Sequence, residues 1–144
     1  MPVRKASAVW HGTLKEGHGH LSTESGVLND IRYTWAARFA DEKGTNPEEI
    51  VGAAHAACYT MFLSALLTNN KFTINSLNTE ASVELVTGEG GPTIKSITLN
   101  VEGSVADIDE TRFAELAAEA KAKCPVSKAL AAVETITLNA KLVN

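Results

Sequence analysis

Two cysteines, Cys58 and Cys124, are the residues of this 144-residue chain best suited to covalent chemistry. A cysteine attacks as its thiolate, so the surroundings that set its pKa decide whether it reacts. Cys58 lies among alanines in an apolar segment, where a cysteine is most often an inert small hydrophobic residue. Cys124 immediately precedes Pro125 at an expected helix start, where free N–H groups favour a thiolate. Cys124 is therefore the more acidic thiol on local grounds, and the residues alone leave open which sulfur attacks.

Histidines are the next candidates for chemistry. His55 precedes Cys58 by three positions, so the two lie on neighbouring parts of one helix face. A Cys/His nucleophile pair is one interpretation, but a packed, hydrogen-bonded histidine is the commoner role. His11, His18 and His20 lie in or near a glycine-containing turn, with a spacing that matches no strong zinc pattern. We therefore predict neither a metal site nor a cofactor.

The bulk properties exclude several classes of function. A net charge of −4 leaves no sequence-wide basic field for nucleic acid. The basic residues at the start of the chain are not followed by an apolar run, so we expect no secretory signal. The longest apolar stretch, 52–67, is shorter than the roughly 20 residues that cross a bilayer. We expect a soluble, cytoplasmic protein with one domain over residues 1–144, in which a disulfide is usually catalytic or transient.

The first forty residues predict three β-strands, at 5–10, 20–25 and 31–39, separated by turns that contain glycine. In the third strand the apolar residues alternate onto one face, and Arg38 lies off that face. This pattern is typical of an antiparallel meander.

A long helix is predicted next. Asn46 can cap it, Pro47 suits its first position and Glu49 has the spacing of a capping box. The segment has no further proline and runs to about Asn69. Apolar residues surround most of its circumference, so we expect it to be buried nearly all round, at the centre of the fold or of a dimer.

The remaining elements complete an α+β order. Half-buried hairpin strands are predicted at 78–86 and 93–105. Asp109 can cap a helix that runs to about Lys123, and Pro125 begins a short helix to Ala132. A last strand covers 134–143. We therefore predict α+β architecture with antiparallel sheets.

Four motifs in this order resemble the OsmC branch of the OsmC/Ohr family. They are Ser22-Thr23-Glu24-Ser25-Gly26-Val27-Leu28-Asn29, Glu42-Lys43-Gly44-Thr45-Asn46-Pro47-Glu48-Glu49, Gly52-Ala53-Ala54-His55-Ala56-Ala57-Cys58 and Lys123-Cys124-Pro125-Val126-Ser127. The resemblance covers nearly the whole chain. It implies an intertwined α+β homodimer with two active sites at the subunit interface.

The resemblance also implies roles for individual residues. The peroxidatic cysteine of the family falls on Cys58 and the resolving cysteine on Cys124. A Cys58 thiolate is expected to attack the peroxide and become a sulfenic acid, which Cys124 converts to a disulfide. The family's cation and its carboxylate partner fall on Arg38 and Glu48. Arg38 is expected to lower the Cys58 pKa against the effect of burial, with Glu48 holding the guanidinium by a bidentate contact.

Helix geometry limits how Glu48 could serve the site. Glu48 and Cys58 are ten residues apart in one predicted helix, which is about 15 Å along its axis. We therefore expect Glu48 to serve the Cys58 of a partner subunit. The neighbouring Glu49 is assigned the structural capping role.

The resemblance implies organic hydroperoxides as substrates, preferred over hydrogen peroxide, and an external dithiol or lipoylated protein as reductant. An apolar pocket for the hydroperoxide could be lined by Trp35, Tyr59, Met61 and Phe62, or these residues could belong to the core. Two other classes of function remain as alternatives: a dimer that binds a small hydrophobic ligand, and a redox sensor that forms the same disulfide but turns over slowly. A disulfide oxidoreductase fits less well, because the cysteines are far apart in sequence and form no Cys-x-x-Cys pair.

Overall fold

The computed structural model describes residues 1–144, which form two compact units, Met1–Ile50 and Val51–Asn144. The elements are β1 (Ala6–His11), β2 (His18–Thr23), β3 (Ile31–Tyr33), α1 (Trp35–Phe39), α2 (Pro47–Asn69), β4 (Thr73–Gly88), β5 (Gly91–Ala106), α3 (Glu110–Lys123), α4 (Pro125–Ala129) and β6 (Thr135–Leu142). The strands form two three-stranded sheets. The predicted α+β class is confirmed.

The sheet of the first unit is the predicted antiparallel meander, in the order β1-β2-β3. Trp10 and Tyr33 both pair with Gly19, from opposite sides of β2. Their ring centroids are 5.6 Å apart, and a Cβ atom at position 19 would overlap the Tyr33 ring. Glycine is therefore required at this position by the close approach of the two aromatic rings.

The prediction that the third strand extends to Phe39 is wrong. The strand ends at Tyr33, and Thr34 begins the short helix α1 by accepting a hydrogen bond from the N–H of Ala37 at 3.0 Å. The alternation of apolar residues continues to Phe39 and therefore does not mark where the strand ends. Trp35 and Phe39 instead stack four positions apart, at a centroid distance of 5.6 Å. Arg38 consequently lies in the last turn of a helix, not on a strand.

The predicted bounds of the long helix α2 are confirmed at Pro47 and Asn69. Asn46 Oδ1 accepts a hydrogen bond from the N–H of Glu49 at 2.8 Å, as a capping residue does. The prediction that α2 is buried nearly all round is wrong for the single chain. One stripe is buried, and it contains His55, Tyr59, Leu63 and Leu67. Met61, on another face, is 74% exposed.

Helix α2 is also longer than the apolar stretch picked out in the sequence. With 23 residues it is long and apolar enough, by length and composition, to cross a membrane. Tyr59, Leu63 and Leu67 are nevertheless completely buried among the core residues of the second unit. The core helix of a globular domain has both properties.

The second sheet has the order β4-β5-β6 and is mixed, which corrects the prediction of antiparallel sheets alone. β4 and β5 form the predicted hairpin, whose strands are longer than expected and pair as far as Gly88 and Gly91. β6 runs parallel to β5. The chain between the two strands forms α3 and α4, a connection long enough to bring β6 back to the end of the sheet at which β5 begins. α4 ends at Ala129, before the predicted Ala132.

The core of the second unit lies among α2, β5 and α3. β5 places alternate residues on its buried face, as its sequence predicts. The N–H of Arg112 donates to Asp109 Oδ1 at 2.7 Å, which confirms the predicted start of α3. The buried cluster consists of Tyr59, Leu63, Leu67, Leu99, Val101, Val105, Ile108, Phe113, Leu116, Ala117, Ala120 and Cys124. One of the two cysteines is thus part of the core.

Candidate active site

The two cysteines meet in the second unit. Cys58 Sγ and Cys124 Sγ are 3.3 Å apart, although 66 positions separate them in the chain. Both are free thiols: Cys58 is half-buried and Cys124 is fully buried. A disulfide bond is about 2.05 Å long, so a shift of little more than 1 Å separates this contact from a covalent bond.

Two helices and a proline position Cys124. The N–H of Cys124 donates to the carbonyl of Ala120 at 2.8 Å, which completes the last turn of α3. Pro125 cannot continue that helix and instead occupies the first position of α4. Cys124 is therefore the C-cap of α3 and the N-cap of α4. Cys58 has a simpler support, since it lies in the middle of α2 and is held by the packing of that helix.

The surroundings of the two thiols shift their pKa values in opposite directions. Burial acts to raise the pKa of Cys124, but the Ser127 N–H, the Cys58 thiol, the Ser127 hydroxyl and the Val126 N–H together lower it through hydrogen bonding. Burial raises the pKa of Cys58, and the Val126 N–H offsets only part of this effect. Within one chain Cys124 is the more acidic thiol, in agreement with the local sequence argument.

His55 bonds to a serine and not to the nearby cysteine. Its Nε2 lies 2.7 Å from Ser127 Oγ, and the whole residue is buried. Its Nδ1 has no hydrogen-bond partner. Burial lowers the pKa of His55, so the ring is neutral at neutral pH. The packed, hydrogen-bonded interpretation of His55 is confirmed, and the structure gives no support to a Cys58/His55 nucleophile pair.

Ser127 is a residue that the sequence analysis missed. It lies three positions after Cys124 on α4 and is buried, and its N–H and its hydroxyl both lower the pKa of the Cys124 thiol. The available signal was the order Cys-Pro-Val-Ser at a helix start, since the third residue after a cap faces the capping side chain.

In the first unit the structure brings Arg38 and Glu48 together. Arg38 Nη2 donates to Glu48 Oε1 at 2.7 Å, and Nε donates to both carboxylate oxygens at 3.1 and 3.2 Å. The Glu48 side chain is only 9% exposed, whereas that of Arg38 is 35% exposed. The carboxylate thus holds the guanidinium by two of its nitrogens and leaves part of it accessible to another group. Glu49, the next residue, is exposed.

The four apolar candidates for a substrate pocket have different surroundings within their own units. Tyr59 is completely buried and donates its hydroxyl to the Ala117 carbonyl at 3.2 Å, while Phe62 packs against the core. Trp35 lies beneath the ammonium of Lys15, which is 5.3 Å from its ring centroid. Met61 borders a groove of about 860 Å³ in the second unit. That groove is lined by Ala56, Ala57, Thr60, Met61, Ser64, Leu77, Asn78, Thr79, Glu80, Asn100 and Glu102, without Cys58.

The N-terminal histidines form a row of rings on the β1-β2 hairpin. The His11 and His18 centroids are 5.9 Å apart, and those of His18 and His20 are 5.2 Å apart. No group of three or more His, Cys, Asp or Glu side chains is arranged to hold a metal ion.

Comparison with known sequences identifies relatives of this site. The family profile described as OsmC-like protein matches residues 40–139. The chain is 46% identical over 138 residues to peroxiredoxin OsmC of Escherichia coli (strain K12), and the match covers 96% of each chain. It is 32% identical over 112 residues to the organic hydroperoxide resistance protein OhrB of Bacillus subtilis (strain 168), covering 77% of this chain and 80% of the relative.

Comparison with solved structures places the fold in the same group. The OsmC-like protein from Mycoplasma pneumoniae superposes with a TM-score of 0.77 at 22% identity, over 99% of both chains. The crystal structure of OhrB of Bacillus subtilis superposes with a TM-score of 0.71 at 29% identity, over 96% of this chain and 98% of the other.

Proposed function

Because this chain belongs to the OsmC-like protein family, we propose that it is a thiol-dependent peroxidase that reduces organic hydroperoxides to alcohols. A peroxidase-type role follows from relatives named peroxiredoxin OsmC and organic hydroperoxide resistance protein. The observation that supports the two-cysteine mechanism is the 3.3 Å contact between Cys58 and Cys124. This contact gives a first oxidised sulfur an immediate partner.

The proposed reaction has two steps on the protein. The Cys58 thiolate attacks the terminal oxygen of the hydroperoxide; the O–O bond breaks, the alkoxide takes a proton and leaves as alcohol, and Cys58 becomes a sulfenic acid. The Cys124 thiolate then attacks the Cys58 sulfur, and the S–O bond breaks as the disulfide forms. An external dithiol or a lipoylated protein returns both cysteines to thiols.

Exposure supports Cys58 as the thiol that meets the peroxide. Cys124 is completely buried and half-buried Cys58 is its neighbour, so a substrate reaches Cys58 first. The pKa values instead favour Cys124 as the attacking thiol, because burial raises the pKa of Cys58. The proposed first step therefore needs a nearby cation that favours the Cys58 thiolate. We assign that role to Arg38.

We propose that Arg38 acts across a homodimer interface. Glu48 holds Arg38 in a fixed, partly exposed position, and Glu48 lies about 15 Å along α2 from the Cys58 of its own chain. The exposed apolar side of α2, which includes Met61, gives a partner a surface to cover. In this arrangement each Arg38–Glu48 pair serves the cysteine of the other subunit, and residues 1–144 act as one domain.

The substrates, the cellular location and the physiological role are proposed from the resemblance to the family. The substrates are alkyl or fatty-acid hydroperoxides, with hydrogen peroxide a weaker substrate. The protein works in the cytoplasm, in defence against oxidative and osmotic stress, where a disulfide formed in catalysis can be reduced.

The deciding experiment measures consumption of cumene hydroperoxide and of hydrogen peroxide by the purified protein with excess dithiol. The wild type is compared with Cys58→Ser and Cys124→Ser. We expect multiple turnovers that favour the organic peroxide in the wild type, none in Cys58→Ser, and arrest in Cys124→Ser with a sulfenic acid or mixed disulfide on Cys58. An active Cys58→Ser variant would overturn the assigned nucleophile, and strictly stoichiometric consumption by the wild type would indicate a redox sensor.

A further inference from the structure

The buried His55–Ser127 pair has no part in the reaction proposed above. The pair joins α2 to α4 across 72 positions of sequence, with 2.7 Å between His55 Nε2 and Ser127 Oγ. His55 is completely buried and Ser127 is nearly so. Ser127 lies three positions after Cys124 at the start of α4, and its hydroxyl lowers the pKa of the Cys124 thiol. The Ser127 hydroxyl therefore links the surroundings of the His55 ring to those of the Cys124 thiol.

The number of protons available determines the direction of these hydrogen bonds. A serine hydroxyl has a single proton to donate, and a neutral imidazole has one N–H. Nδ1 of His55 is buried without a partner, and an orphaned buried N–H is the rarer and costlier arrangement. The proton therefore lies on Nε2, which donates to Ser127 Oγ. The single Ser127 proton is then left free for Cys124.

We propose that His55 is a positioning residue: by donating Nε2–H to Ser127 Oγ, it turns the serine hydroxyl toward the sulfur of Cys124, the proposed resolving cysteine. His55 itself stays neutral and takes up no proton. The relay from His55 through Ser127 to Cys124 is a chain of oriented donors that ends on the sulfur. Its role in resolution rests on the proposed peroxidase function, whereas its effect on the thiolate does not.

The resolving step shows why this thiolate matters. The Cys124 sulfur attacks the sulfur of the Cys58 sulfenic acid, the S–S bond forms and the S–O bond breaks. Hydroxide leaves and takes a proton from solvent to become water. The rate depends on the thiolate fraction of the attacking sulfur, and Cys124 is buried, so solvent cannot supply the stabilising donors.

The other titratable groups around Cys124 do not supply this stabilisation. Tyr59 of α2 is neutral, because burial raises its pKa, and the Cys58 thiol is the reaction partner. Lys123 at the end of α3 is exposed and bonds to Glu119 at 2.6 Å. Lys128 of α4 is also exposed. The backbone N–H groups of α4 remain in every side-chain variant, so the contribution of the relay can be measured separately.

The test measures the Cys124 pKa from the ultraviolet absorbance of the thiolate, which needs no access to the buried sulfur. It uses the Cys58→Ser background, in which Cys124 is the only cysteine. We expect Ser127→Ala to raise the Cys124 pKa by about one unit, a tenfold change in the ionisation constant. We expect His55→Leu to raise it by a similar amount and the double variant by no more than either. His55→Gln, which can keep a donor near the Nε2 position, should restore most of the shift.

The outcomes separate this inference from the proposed function. An unchanged Cys124 pKa in folded His55→Leu would overturn the relay. If His55→Leu does not fold, Ser127→Ala compared with Ser127→Thr decides, since threonine keeps the hydroxyl; equal pKa values would again overturn it. These results do not depend on peroxide consumption. Failure of the wild type to consume cumene hydroperoxide would instead overturn the function and leave the pKa result standing.

Discussion

The Arg38 guanidinium lies across the Glu48 carboxylate, with Nη2 2.7 Å from Oε1 and Nε 3.2 Å from Oε2. This two-point contact fixes the plane of the guanidinium as well as its position. Arg38 belongs to the five-residue helix α1 and Glu48 to the first turn of α2, so the contact also joins these two helices within residues 1–50. The Arg38 side chain remains 35% exposed, so the fixed guanidinium can still contact another group, as the proposed site requires.

Arg38→Ala should move the pH dependence of peroxide reduction to higher pH. A nearby cation favours the thiolate, so its loss raises the Cys58 pKa, typically by one unit or more. Burial already acts in the same direction on this thiol. The rate rises as pH passes through the thiol pKa, so at neutral pH the variant should be about tenfold slower or more. Stopped-flow measurement of the first oxidation across pH tests this. An unshifted profile would remove Arg38 from the site, and Arg38→Lys should lie between the two.

Glu48→Gln tests whether peroxidase activity depends on the contact of Glu48 with Arg38. The matched control is Glu49→Gln. The substitution keeps the size of the side chain but removes its charge and one acceptor, so Arg38 is held less firmly. We expect about tenfold lower peroxidase activity and a stability loss of about 1 kcal/mol. Glu49→Gln changes the same chemistry at an exposed position and should leave activity unchanged. Equal activity in the two variants would count against a role for Glu48.

The helices of this fold could be predicted because their signals are local. Asn46 and Pro47 mark the start of α2, and Asp109 caps α3 through its own neighbour Arg112. Each signal acts within four residues and so can be read from sequence. The prediction for the segment after Tyr33 was wrong because Thr34 can begin a helix or continue a strand. The hydrogen bond from the Ala37 N–H to the Thr34 hydroxyl decides between the two.

Relations between distant residues could not be predicted from the pattern. The parallel pairing of β6 with β5 depends on the path of α3 and α4, and the bond from His55 to Ser127 spans 72 positions. Acidity could be judged locally for Cys124, because its helix start is local. The assignment of Cys58 as the attacking thiol came from family resemblance, and its local surroundings point the other way.

Met61→Asp should disrupt the proposed dimer. Met61 is 74% exposed on the uncovered side of α2, and a carboxylate there would have to be desolvated in an apolar interface. We expect a monomer in analytical ultracentrifugation and loss of most peroxidase activity, because the partner's Arg38 no longer reaches Cys58. Met61→Leu keeps the surface apolar and should remain dimeric and active. A fully active monomeric Met61→Asp would show that the site is complete in one chain.

Gly103→Ala should destabilise the packing that carries Cys124. A Cβ atom at this position of β5 would lie 2.5 Å from Cζ of Phe113, a buried residue of α3. Overpacking of this kind costs about 1–3 kcal/mol. Urea unfolding should show a lower midpoint for Gly103→Ala and almost none of that loss for Gly88→Ala, where nothing lies within 4 Å of the added atom. Equal midpoints would mean that the Phe113 ring can move aside at little cost.

Oxidation of the cysteine pair should make the protein more stable. A Cys58–Cys124 disulfide would close a loop across 66 positions, which by chain entropy alone stabilises the folded state by up to about 4 kcal/mol. The sulfurs already touch, so little distortion of α2 or α4 should reduce this gain. The urea midpoint should therefore rise when the wild type is treated with one equivalent of peroxide and should fall back after dithiol treatment. Cys124→Ser cannot form the bond and should show no rise. A midpoint that falls on oxidation would mean that closing the last 1 Å or so strains the helices, and that the strain makes the disulfide easier to reduce.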